Sequence, residues 1–304
     1  MSSLNAWYSN RLDHRAGQIL EFLRRRSRLQ LLLFVGPAVL LVLGALILPL
    51  LYMVYISFLN GTPPSEFTLQ NYERLASTDT YVNIILDTVV LTVQTSLLVV
   101  VLGYTLAYGI AMYARRRKLL LLMVILPFWT NYLVRNFSLI SIFQNQGPFE
   151  QIVNGLLFFL EPISIDILYT RPAVLMGLLY SYLPVAVLPI YASIARMDKS
   201  LISASKDLGA GPVKTFLYIT LPRTKEGIFV GTLLVAIPTF GAFVTPAMLG
   251  GPTDNMIGSL IELQYMQVYD VPFGSAVGTA TSLFVVVVLG VVFAVNGVPM
   301  IDND

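Results

Sequence analysis

The chain contains no cysteine and a single histidine, His14. A disulfide framework, an iron–sulfur cluster and a thiolate zinc site are therefore excluded, and one histidine cannot build an imidazole metal site. Charge is equally scarce. Only 12% of the 304 residues are charged, 56% are hydrophobic, and the mean hydropathy is +0.74. Ordinary globular proteins carry about 25% charged residues, and a soluble domain of this length needs them to cover its surface. Most of the chain must therefore face lipid. The net charge of +2 is too small to argue for nucleic acid as a partner. Also missing is a Gly-x-x-x-x-Gly-Lys-Ser/Thr loop. The stretch from Gly209 to Thr215 has glycines and a lysine at the wrong spacing, so nucleotide phosphates find no cradle here. Neither a cofactor nor enzymatic activity is expected.

What the chain has in abundance is long apolar runs. Residues 31–58 and 88–114 contain no charge, 119–143 is interrupted once by Arg135, and 172–195, 227–250 and 274–296 complete the set. A helix crossing the hydrocarbon core needs about 20 such residues, whereas a barrel strand needs about ten with alternating polarity. The expectation is an all-α membrane protein with six transmembrane helices. Prolines recur inside these runs: Pro37, Pro49, Pro184, Pro189, Pro238 and Pro246. Each removes a backbone donor and bends its helix, which fits a protein that opens and closes, although prolines are common in membrane helices generally.

The basic residues orient the runs. Of the 19, 16 lie before the first run, between the second and third, or between the fourth and fifth. The positive-inside rule places these regions in the cytoplasm, and an even number of spans puts both termini there. Residues 1–30, with Leu12, Ile19, Leu20 and Leu23 among the arginines, read as an interfacial helix on the anionic leaflet. Residues 297–304 read as a short cytoplasmic tail. Two outer connections carry helical patterns of their own, from Phe149 to Leu160 and from Ile257 to Val268. The second is too short to cross and reads as a re-entrant or surface-lying helix.

The connection 197–225 is longer than the two to eight residues that join antiparallel helices. Leu201, Ala204, Leu208 and Phe216 fall at helical spacing, a break follows at Gly209 to Pro212, and the exit is Leu221-Pro222. A docking element for another protein and a helix packed on the protein's own underside both fit this pattern. The residues themselves are more specific. Ser203, Ala204, Ser205, Asp207, Leu208, Gly209 and Ala210, then Ile219, Leu221-Pro222 and Gly227-Ile228, resemble the EAA loop of ABC-importer permeases. Pro127-Phe128-Trp129-Thr130-Asn131 with Arg135, Leu183-Pro184 through Met197-Asp198-Lys199, and Leu249-Gly250-Gly251 through Pro272-Phe273-Gly274 are similar to spermidine/putrescine permease B subunits.

That resemblance covers about residues 36–296 and implies a type I importer fold within a domain spanning 31–296. It also implies a coupling helix that sits in a groove of an ATPase subunit. The partners implied are an ATPase dimer, a second permease, an extracytoplasmic substrate-binding protein and the bilayer. Three departures stand out: Ser203 and Ser205 occupy the places of the glutamate and second alanine that name the loop, Glu226 replaces a proline, and the usual basic tail is missing.

The candidate substrate pathway is Asp87, Tyr104, Tyr108, Trp129, Tyr132, Arg135, Tyr180 and Glu262. Aromatic faces with a carboxylate suit a polyamine through cation–π and charge attraction, while Arg135 favours an acid partner or an anionic solute. Snorkelling at the interface explains the charges equally well. Two other classes fit the residues less well. An ion- or proton-coupled carrier places ionisable groups near the midplane, where this chain has almost none, and a membrane enzyme lacks catalytic parts here.

Overall fold

The computed structural model describes residues 27–61, 63–156 and 166–296. The expected interfacial segment before Ser27, the far end of the Phe149–Leu160 helix and the tail 297–304 lie outside the described residues. Residues 1–56 and 57–304 form separate compact units. In the first, α1 (Ser27–Ser57) runs unbroken through Pro37 and Pro49 and presents no polar face, as a helix surrounded by lipid must.

The second unit opens with a loop pinned by the side chain of Asn71, whose amide donates to the carbonyls of Ser57 (3.0 Å) and Leu59 (2.9 Å). That asparagine sits on α2 (Gln70–Ser77), a short connecting helix. Three helices then form the centre: α3 (Asp79–Tyr113), α7 (Arg171–Arg196) and α11 (Lys225–Phe240) all pack on one another. Lipid tails are as apolar as leucine, so association relies on close backbone approach and dispersion. Ala107, Ala186, Val187, Ile190 and Val235 are fully buried at this contact. Gly227 makes it possible: a Cβ there would lie 2.5 Å from Ser193 Cβ and 2.8 Å from the Pro189 carbonyl. Any larger residue would push α11 off α7.

The third expected run is not one straight helix. α4 (Arg117–Ile125) tightens into a 3₁₀ turn (Leu126–Trp129), and α5 (Tyr132–Phe143) leaves at 94°. The fifth run is divided as well, with α11 ending at Phe240 and α12 (Val244–Leu249) following an unwound Gly241-Ala242-Phe243. Among the described residues, four unbroken helices are long and apolar enough to cross a membrane, or five when the bent pair counts as one. The remaining apolar stretch is the divided one. Both connections expected to be helical are so, as α6 (Pro148–Leu156) and as α13 (Ile257–Leu263) extended by a π turn (Gln264–Val268). α14 (Val271–Asn296) completes the fold. Leu91, Leu139, Val174 and Leu249 form one core beneath the two breaks, and Phe240, Ile257, Leu260 and Phe273 form another around α13.

Candidate functional site

The loop between α7 and α11 is built from local signals. Asp198 starts it: its carboxylate accepts the Ser200 amide at 2.9 Å, and hydrogen bonding from Ser200 holds its carboxyl below the usual carboxylate range. α8 (Ser200–Asp207) then carries the exposed Ser203, Ala204, Lys206 and Asp207. Its end is a Schellman motif. Gly209 adopts φ +78°, its amide donates to the Lys206 carbonyl (2.9 Å), and the Ala210 amide donates to the Ser205 carbonyl (3.0 Å). Glycine is required there because the left-handed region penalises a Cβ. Leu208, just before the turn, is 89% exposed.

The return limb consists of α9 (Pro212–Thr215), a π turn (Phe216–Thr220) and α10 (Leu221–Arg223). Ser205, in place of an alanine, forms a buried hydrogen bond of 2.7 Å with Thr215 and ties the two limbs together. Phe216 turns back to the membrane helices and meets the rings of Tyr104 (5.7 Å) and Tyr108 (5.6 Å) edge-on. The Thr224 hydroxyl donates to the Thr220 carbonyl at 2.8 Å, so the 3.0 Å contact between Tyr104 and Thr224 has the tyrosine as donor. Tyr104, Phe216, Leu221 and Ile228 thus join one buried cluster with α7. Pro222 is exposed and Gly227 buried. A cleft of about 510 Å³ opens beside the loop, lined by Ser193, Arg196, Asp198, Arg223 and Glu226.

The candidate pathway residues do not converge on one cavity. Tyr104 and Tyr108 belong to the loop end. At the opposite end of α3, Asp87 is paired with Arg171 on α7 at 2.9 Å. A third group surrounds the 94° bend. Arg135 is buried and donates to the carbonyls of Phe128 and Thr130, both at 3.0 Å, with the rings of Phe128 and Tyr180 each 5.7 Å from its guanidinium carbon. Its partners are backbone carbonyls, the Thr130 hydroxyl (3.4 Å) and aromatic faces, with no acid among them. Tyr132 meets the Thr245 hydroxyl at 2.6 Å, and Thr245 donates to Asn136 Oδ1 at 2.9 Å. Trp129 is 77% exposed and Glu262 is half-buried on α13. Among the described residues, no group of His, Cys, Asp or Glu could hold a metal.

Several structural partners escaped sequence reasoning. Thr215, Thr224 and Thr245 are single hydroxyls in apolar surroundings, and nothing local distinguishes them from other threonines. Asn136 carried a signal, since it follows Arg135 inside an apolar run and two adjacent polar side chains there demand buried partners.

Residues 99–298 match the family described as binding-protein-dependent transport system inner membrane component. The chain belongs to this family. The permease is 36% identical over 253 residues to the spermidine/putrescine transport system permease protein PotB of Escherichia coli (strain K12), covering 82% of this chain and 90% of that one. PotB of Haemophilus influenzae is 31% identical over 257 residues, covering 82% and 88%. The inner membrane ABC transporter permease protein YdcU of Escherichia coli is 30% identical over 266 residues, covering 81% and 82%. In fold, the permease superposes with a TM-score of 0.72 on a bacterial ABC transporter involved in the import of the acidic polysaccharide alginate. That match has 18% identity and covers 94% of this chain and 100% of the other. This is a multi-pass inner membrane permease subunit of an ABC importer.

Proposed function

We propose that the permease forms half of the translocation pathway of an ATP-driven polyamine importer, with putrescine and spermidine as substrates. The similarity to PotB over four-fifths of the chain carries the substrate reading. A second permease, two ATPase subunits and an extracytoplasmic substrate-binding protein complete the assembly. The ends of α3 and α7 nearest the loop, together with both termini, face the cytoplasm, in keeping with the clustering of basic residues.

The loop of 197–225 is the coupling element. Its exposed Leu208 tip enters a groove on the ATPase, and the Ser205–Thr215 bond makes the two limbs move as one body. Closure of the ATPase dimer then reaches the pathway through Phe216, which packs edge-on against the stacked Tyr104 and Tyr108 of α3. Nucleotide provides the differential binding energy that any such shift requires. Of the pathway residues, the exposed Trp129 and the half-buried Glu262 are the proposed contacts for a cation, whereas Asp87 and Arg135 are engaged by protein groups.

The test is uptake of putrescine into vesicles containing the full complex. Uptake should require ATP, stop with vanadate, and be lost on Leu208→Glu together with co-purification of the ATPase. Uptake that survives vanadate and collapses with an uncoupler overturns the importer reading. ATP-driven uptake of an iron complex or phosphonate, with no polyamine binding, overturns the substrate alone.

A further inference from the structure

The hairpin between α3 and α4 concentrates charge in a way that coupling and transport leave unused. α3 ends at Tyr113 and α4 begins at Arg117, so the chain reverses within Ala114-Arg115-Arg116. Arg115, Arg116, Arg117 and Lys118 are consecutive, and with Ala114 and Leu119 they line an open hollow of about 560 Å³. No carboxylate lines it. Among the described residues, the two ion pairs, Arg74–Asp270 and Arg171–Asp87, lie elsewhere. Four adjacent cations without an acid repel one another and call for an external anion.

Two further features give that anion a shape. Arg116 precedes α4 without a capping side chain. The first amides of α4, at Arg117 and Lys118, have no carbonyl one turn earlier inside the helix to accept them. A phosphate suits them and the positive end of the helix dipole. The walls leading away from the hollow are apolar and uncovered: Tyr113 is 80% exposed on one side, and Leu122 and Met123 are 47% and 60% exposed on the other. A soluble phosphate has no use for those walls, and an acidic protein surface would meet the cations without needing an apolar wall beside them. A phospholipid uses both.

We propose that this hairpin is a binding site for an anionic phospholipid. The phosphodiester lies in the hollow against the four cations and the α4 amides, and an acyl chain follows Leu122 and Met123. The site needs only a boundary between water and bilayer at the hairpin, so it stands or falls separately from the polyamine reading.

The experiment is native mass spectrometry of the full chain purified in detergent and exposed to phosphatidylglycerol, phosphatidylcholine or inorganic phosphate. Wild type should retain phosphatidylglycerol over phosphatidylcholine. The variant R115Q/R116Q/R117Q/K118Q should retain it at least about tenfold less, since each basic side chain near an anionic surface contributes separately. R115K/R116K/R117K, which keeps the charge, should retain it. If the quadruple variant fails to insert, R116Q/K118Q replaces it, with an intermediate loss expected. Equal retention of both lipids overturns the site, as does undiminished phosphatidylglycerol on the glutamine variants. Displacement by inorganic phosphate assigns the hollow to a soluble anion and also overturns it. So does a glutamine variant that keeps the lipid but loses the co-purifying ATPase, which would assign the cluster to a protein contact.

Discussion

Two apolar stretches break inside the membrane unit, and they solve the same problem by different means. A broken helix frees carbonyls and amides that lipid cannot satisfy. At the 94° bend the answer comes from within nine residues. The Thr130 hydroxyl donates to the Pro127 carbonyl (2.7 Å), Asn131 accepts the Leu133 amide (2.9 Å), and Arg135 takes the Phe128 and Thr130 carbonyls. At Gly241-Ala242-Phe243 almost nothing is local. The Ala242 amide reaches Thr239 (3.1 Å), but α12 starts at Phe243 without a side-chain cap. Its Thr245 relies on Asn136 of α5, and the carbonyls of Gly241 and Ala242 lie against Gly258 of α13. The first break is self-contained, and the second is held by its neighbours. Because Asn136 and Tyr132 sit on α5, the second break is built on the first.

This asymmetry predicts which side chain matters most. Arg135→Met keeps the volume of the stem but strands the part-buried carbonyls of Phe128 and Thr130, and should destabilise the protein by about 2 kcal/mol. A thermal-unfolding series in detergent measures it. A shift no larger than that of a surface substitution would mean that the bend is held by something else. Next comes Gly258→Ala, whose Cβ would lie 2.6 and 2.7 Å from the Gly241 and Ala242 carbonyl oxygens. Backbone atoms cannot swing aside, so overpacking of about 2 kcal/mol is expected, with increased protease sensitivity confined to 240–249. Full tolerance of alanine would show that the second break can reshape itself.

The dependence of one break on the other is a smaller effect. Tyr132→Phe and Thr245→Val, alone and together, form a double-mutant cycle. Hydrogen bonds between membrane helices average about 0.6 kcal/mol in such cycles, and a coupling of that size is expected. Strict additivity would separate the two breaks and remove the hierarchy.

The same contrast explains what the sequence disclosed. The apolar runs, the loop helix with its glycine end and α13 were all legible, because periodicity and turn residues act locally. The bend had its signature in the run Pro127 to Arg135: a proline, two capping residues and an arginine in an apolar stretch. Reading 119–143 as one straight span left unseen that Arg135 clamps its own backbone. The division of 227–250 was marked only by Pro238 and Pro246, which flank it, while what holds it, Gly258 and Asn136, lies far away in sequence. Tyr104 and Tyr108 stand out in the sequence as aromatics within an uncharged run. Their neighbour, Phe216, became apparent only when the loop folded back on α3.

A third discontinuity, at Met197-Asp198-Lys199, lies in water and should show the smallest effect of all. Asp198 accepts the Ser200 amide with its carboxyl held below the usual range. A lowered carboxyl stabilises only above its unfolded value, so its contribution is present at neutral pH and fades as pH falls through the folded value, below about 4. The side chain is exposed, and water replaces the lost bond. Melting should therefore be nearly unchanged in Asp198→Asn, whose amide oxygen still accepts. Hydrogen exchange at Ser200, corrected for intrinsic rate, should accelerate on acidification in wild type and stay flat in the asparagine variant. An equal acid response in both would remove Asp198 as its cause. A melting loss comparable to that of Arg135→Met would show that location in water or lipid is not what separates these joints.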